Sequence, residues 1–125
     1  MKLSELLDPK FQGKLKELMD KPLPMKAARK LKKVVDTVNK ELEDYEELRK
    51  EALKKYGKLD KDGELKSDEN GQVQFKKDGL KKFVKENNDL LQEEVKVEKI
   101  KLADLGSDLT ISVSDLLVLG GIILD

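Results

Sequence analysis

Only one stretch of this sequence has the spacing of a metal site. Counting Lys58 as the first position of a calcium loop puts Asp60 at three, Asp62 at five, Gly63 at six, Leu65 at eight and Glu69 at twelve. Such a loop takes oxygen ligands from alternate positions and closes on a carboxylate at the twelfth. Here Lys58 supplies a cation where the first carboxylate belongs, and Asn70-Gly71 turns the chain where a helix should start. Short loops rich in Asp and Gly fall on this template readily, so the stretch reads as a turn and no metal is expected. Histidine and cysteine are absent, which removes the usual general base, the commonest metal ligand, thiolate nucleophiles and disulfides. The carboxylates lie on predicted solvent faces with lysines close by, so no paired acid and base or polarised nucleophile stands out. The sequence predicts a protein that is not an enzyme, with no cofactor and no small-molecule substrate.

Two charged clusters remain. The basic one, Lys26, Arg29, Lys30, Lys32 and Lys33, lacks an aromatic stacking platform and adjoins an acidic segment, so nucleic acid is not an expected partner. The acidic one, Asp36, Glu41, Glu43, Asp44, Glu46 and Glu47, reads as a solvated helix face. Its alternative role is to imitate nucleic acid or to steer a protein partner. Across the chain 26 basic and 26 acidic residues cancel. The charged share of 42% is far above the ordinary value of about 25%, which indicates long solvated helices where the apolar residues are patterned. The 125 residues fit a single domain. No apolar leader follows Met1, and the uncharged run Leu116 to Leu124 is too short to span a bilayer. A soluble cytoplasmic protein without a membrane partner is expected.

The element that must position everything else is one long amphipathic helix over 25–56. Ala28, Leu31, Val35, Val38, Leu42, Tyr45, Ala52 and Tyr56 recur every three or four residues, with Arg49 standing where a core residue would. Val34, Leu48 and Leu53 widen the stripe. At about 1.5 Å per residue the rod is roughly 45–50 Å long, so its seam must be covered by a second helix, by the chain ends or by another copy. Residues 1–24 predict a short helix with Phe11, Leu15, Leu18 and Met19 on one side, started by Asp8-Pro9 and ended by the corner Lys21-Pro22-Leu23-Pro24. Gly57 is expected to stop the long helix in a left-handed conformation, and Glu46–Lys50 and Glu51–Lys55 are spaced to pair along it.

Residues 57–78 predict a β-hairpin-like excursion, because Asp60-Lys61-Asp62-Gly63 is echoed eight residues later by Asp68-Glu69-Asn70-Gly71. A second helix over 79–94 carries Leu80, Phe83, Val84, Leu90 and Leu91 on one face with Asn87 among them, and should run back antiparallel along the first. Residues 95–125 read as extended pieces (Val95, Val97, Ile100, Leu102, then Leu109 and Ile111), followed by a short apolar helix capped by Ser112 and broken at Gly120-Gly121. The predicted fold class is mainly α with a small β component: a long antiparallel helical hairpin, short extended segments and a short C-terminal apolar helix.

The order of these pieces carries a resemblance. Leu15 to Lys26, the charged helix ending Lys55-Tyr56-Gly57, the Asp-Gly and Asn-Gly turns, Leu90 to Val95, and Ile111 to Leu116 together make the chain similar to small uncharacterised proteins encoded by bacteriophages and prophages. The resemblance covers most of the chain and implies a phage-related role in a bacterial cytoplasm or particle, with no functional residues to carry over. An incompletely covered seam and an apolar C-terminus predict a structural or assembly protein that acts by protein–protein contact, as a homo-oligomer. The expected contact residues are Leu31, Val35, Val38, Leu42 and Tyr45 of the seam, with Leu116, Leu117, Leu119, Ile122 and Ile123. The alternative is a small inhibitor that binds a host protein through the acidic face.

Overall fold

Asp8 starts the second helix, its carboxylate accepting the Lys10 backbone N–H at 2.9 Å while Pro9 fills the first helical position. This is the arrangement the sequence predicts, because proline has no N–H to leave unsatisfied there. In the computed structural model of the protein, which describes residues 1–124, the elements are α1 (Leu3–Leu6), α2 (Pro9–Met19), α3 (Met25–Tyr56), α4 (Gly79–Leu91), β1 (Ile100–Lys101), a 3-10 turn (Leu102–Leu105), α5 (Val113–Leu119) and β2 (Ile123–Leu124). The chain is mostly helical with one small parallel sheet among the described residues, β1 pairing β2 with Ile100 opposite Ile123. Asp125 lies outside the described residues. The chain gathers into two compact units, Met1–Glu41 with Glu94–Asp125, and Leu42–Glu93.

The first unit holds the buried apolar core. Leu6, Phe11, Leu15, Leu18, Val34, Ile100, Leu105 and Ile122 are among its buried large side chains, with Leu3, Leu119 and Ile123. From the long helix it takes Ala27, Leu31, Val34 and Val38, a set turned by one position from the expected Ala28, Leu31, Val35 and Val38. Ala28 is exposed and Val35 half-buried. The stripe is wide enough to have two usable edges, and packing selects one of them. The N-terminus joins the chain at Glu94-Val95: the Met1 amino group donates to the Val95 carbonyl at 3.0 Å, and the Val95 N–H donates back at 2.7 Å. The long extended piece expected from Val95 shrinks to the two residues of β1, although Val97 is still buried. Leu102 turns into the 3-10 segment, and Leu109 and Ile111 form no strand.

In the second unit the expected hairpin is a closed ring of three eight-residue repeats. Asp60 accepts the N–H groups of Asp62 and Glu64, and Asp68 those of Asn70 and Gln72, at 2.8–3.0 Å. Each aspartate thus closes its own turn, and Gly63 and Gly71 follow at φ +78. The third turn, Lys76 to Gly79, has Asp78 in the left-handed position at φ 60 and the Gly79 N–H on the Lys76 carbonyl at 2.7 Å. Between the turns, Lys66 donates to Lys58, Gln74 to Lys66 and Lys58 to Gln74, all backbone bonds of 2.8–2.9 Å. Gly57 is not left-handed. It bridges Phe75, and a Cβ there would lie 2.5 Å from the Leu53 carbonyl and 2.6 Å from Leu65 Cδ2.

Candidate interaction surfaces

The polar side chains that could do chemistry are engaged locally. Asp60 and Asp68 serve their turns, and among the described residues no group of three or more carboxylates is placed to hold a metal ion. In the first unit Lys26 and Lys30 approach Asp104 at 3.8 and 3.9 Å, and Lys32 pairs with Asp36 at 3.6 Å. Three of the five basic residues singled out in the sequence therefore have a carboxylate beside them. In the second unit Glu43, Asp44, Glu46 and Glu47 are exposed and form no ion pair with any described residue. The expected Glu46–Lys50 and Glu51–Lys55 pairs do not form. Lys55 turns to Glu86 at 3.5 Å instead, where the Tyr56 hydroxyl also donates. Glu86, a carboxylate on another helix that accepts from both Tyr56 and Lys55, outcompetes a single exposed neighbour along the same helix. Asn87, on the apolar face of α4, accepts the Tyr45 hydroxyl at 2.9 Å, which satisfies it while half-buried.

Two carboxyl groups are held below their ordinary pKa by their neighbours. Lys14, 3.0 Å from Asp115, holds that carboxyl below its ordinary 3.8, with the Ser112 hydroxyl assisting. The Tyr56 hydroxyl, and then Lys55, hold Glu86 below its ordinary 4.5. A carboxyl with a depressed folded pKa contributes stability above its unfolded pKa and loses it as pH falls through the folded one. Asp115→Asn and Glu86→Gln should therefore lower the urea midpoint near neutral pH. Each gap to the wild type should close as the pH drops through the carboxyl range. A gap that stays constant with pH would show that the shift contributes nothing.

Each unit also leaves large apolar side chains exposed. The predicted contact residues divide three ways. Leu31, Val38, Leu119, Ile122 and Ile123 are buried in the chain's own core, and Val35, Leu42, Tyr45 and Leu116 are half-buried. Leu117 is 80% exposed. The sequence reading passed over Val113, 75% exposed and one turn before Leu117 on α5. Its spacing of four residues from Leu117 was the available signal.

In the second unit no apolar side chain is fully buried among the described residues; Leu48, Leu80 and Val84 are each more than 40% exposed. Leu80 and Val84 stand one turn apart on α4, and Leu48, Ala52 and Leu90 floor a groove of about 310 Å³ edged by Arg49, Glu51, Lys55, Glu86 and Asn87. Phe75 and Phe83, their ring centres 5.9 Å apart, are only half-buried. Among the described residues no helix is long and apolar enough to cross a membrane. Comparison with protein-family models, with curated proteins and with solved structures finds no match to this chain. The surfaces themselves therefore carry the functional argument.

Proposed function

We propose that this chain acts by protein–protein contact, as a structural or assembly component of a bacteriophage or prophage system, and that it associates with itself. The observation that carries the reading is that the unit from Leu42 to Glu93 closes on no fully buried apolar side chain while Leu48, Leu80 and Val84 stand in solvent. Burying apolar surface is worth about 25 cal/mol per Å², and a unit with so little of it interred is stabilised by a partner through mass action. Within that unit we read the second half of α3 and α4 as an antiparallel pair. Gly79 lies against the Tyr56 carbonyl and Asn87 bonds Tyr45, so the two helices are followed in opposite directions. The resemblance to phage-encoded proteins supplies the setting, a bacterial cytoplasm or an assembling particle.

Absolute mass by light scattering across a concentration series tests the reading. The expected result is a species heavier than the 14.2 kDa chain that lightens on dilution. A mass fixed at that of one chain up to high concentration would overturn self-association. The second reading, a small inhibitor of a host protein, is favoured by the unpaired acidic run Glu43, Asp44, Glu46 and Glu47. Reversing the charge at Glu43, Asp44 and Glu47 would abolish host-protein binding with folding intact under that reading, and would leave self-association unchanged under the first.

A further inference from the structure

We infer that two copies of this chain pair through the outer face of α5, each seating its Leu117 in a pocket of the other; this rests on the self-association proposed above. The helix is seven residues long and buries only Leu119. Its outer face presents Val113 and Leu117, 75% and 80% exposed, with the uncharged Ser114 between them. The one charge on the helix, Asp115, turns away to Lys14 of α2. In a chain that is 42% charged, an exposed face without a charge is the exception. Leu117 itself forms one wall of a pocket of about 300 Å³, with Met1, Phe11 and Val118 as its other apolar lining and Glu5, Asp8 and Lys10 as its charged lining.

A projecting apolar side chain next to an apolar hollow is self-complementary. A two-fold axis puts each projection into the other copy's hollow, and the contact is reciprocal and closed. The charged lining supports the same occupant, since it carries both signs and Lys10 of one copy can meet Glu5 or Asp8 of the other. A lipid surface is a poorer fit, because two carboxylates against one lysine would be repelled by anionic headgroups. An unrelated apolar helix could fill the hollow, but it would need a matching cavity of its own for Leu117.

Light scattering on the full-length chain tests the pairing. Leu117→Glu is expected to weaken association about tenfold or more, the scale of a central contact residue, and Val113→Glu to act in the same direction. Both sites are exposed, so at a concentration low enough to dissociate the wild type the thermal melt by circular dichroism should match it. Mixing Leu117→Glu with Leu117→Lys should restore a species of two chains that neither variant forms alone, which is the signature of a surface that faces its own copy. A wild-type dimer that persists in Leu117→Glu, or that is lost with Leu48→Glu instead, overturns this pairing and leaves self-association standing. A wild type that is a single chain at every concentration overturns both.

Discussion

Ile122→Ala should destabilise the protein by about 2–5 kcal/mol, while Leu117→Ala, five residues earlier in the same apolar segment, should change stability by no more than about 0.5 kcal/mol. Ile122 is fully buried, its carbonyl accepts the Ile100 N–H at 2.7 Å, and its own N–H reaches Leu119 at 2.9 Å. Truncating it removes the transfer free energy of the lost carbons and leaves a cavity in the first unit. Leu117 projects into solvent and has no cavity to leave. Urea melts at a concentration low enough to dissociate any oligomer would read the contrast. Equal losses for the two variants would mean that α5 packs differently from the arrangement described. A stabilising effect of Leu117 that appears only at high concentration would belong to association and not to folding.

Gly79→Ala should disrupt the second unit. A Cβ at Gly79 would run into the Tyr56 carbonyl and crowd Phe75 Cβ, and neither the backbone nor a β-carbon can step aside as the end of a long side chain does. Overpacking of this kind costs about 1–3 kcal/mol where the site relaxes. The cost should fall on the ring of repeats, because Gly79 closes its third turn. Hydrogen exchange at the Lys58, Lys66 and Gln74 amides should accelerate together by about tenfold or more, 1.4 kcal/mol corresponding to a factor of ten, while core amides of the first unit such as Ile100 keep their protection. Unchanged exchange at those three amides would show that the ring does not depend on the close approach of Gly79 to Tyr56.

The mainly helical class and the positions of most helices were legible in the sequence because they rest on local rules. The three-and-four spacing from Leu31 to Tyr56, proline after a capping aspartate at Asp8-Pro9, and Ser112 ahead of Asp115 act within one or two turns, and α2, α3 and α5 lie where those signals stand, whereas α1 was not foreseen and α4 ends at Leu91, short of the expected 94. The eight-residue echo of Asp60 to Gly63 in Asp68 to Gly71 was visible too. The third copy was hidden, because Lys76 replaces the aspartate and its turn is closed by backbone alone, with Asp78 taking the left-handed position. Gly57 misled for a related reason: a glycine after a helix signals a left-handed cap, whereas this one is required by the nearness of Leu53 and Leu65.

Tertiary structure alone decided which apolar residues are spent and which are left. Leu117, Leu119 and Ile122 are equally apolar in the sequence, yet one projects into solvent and two are interred. The pairing of Ile100 with Ile123 links residues far apart in the chain through two-residue strands, too short to leave a periodic trace. Composition and periodicity determined that this protein would be built of long charged helices with more apolar seam than one short chain covers easily. Where the uncovered part lies depends on contacts between distant segments, each offering several apolar residues of similar worth. Packing geometry chooses among such equals, and hydrophobicity read along the chain does not.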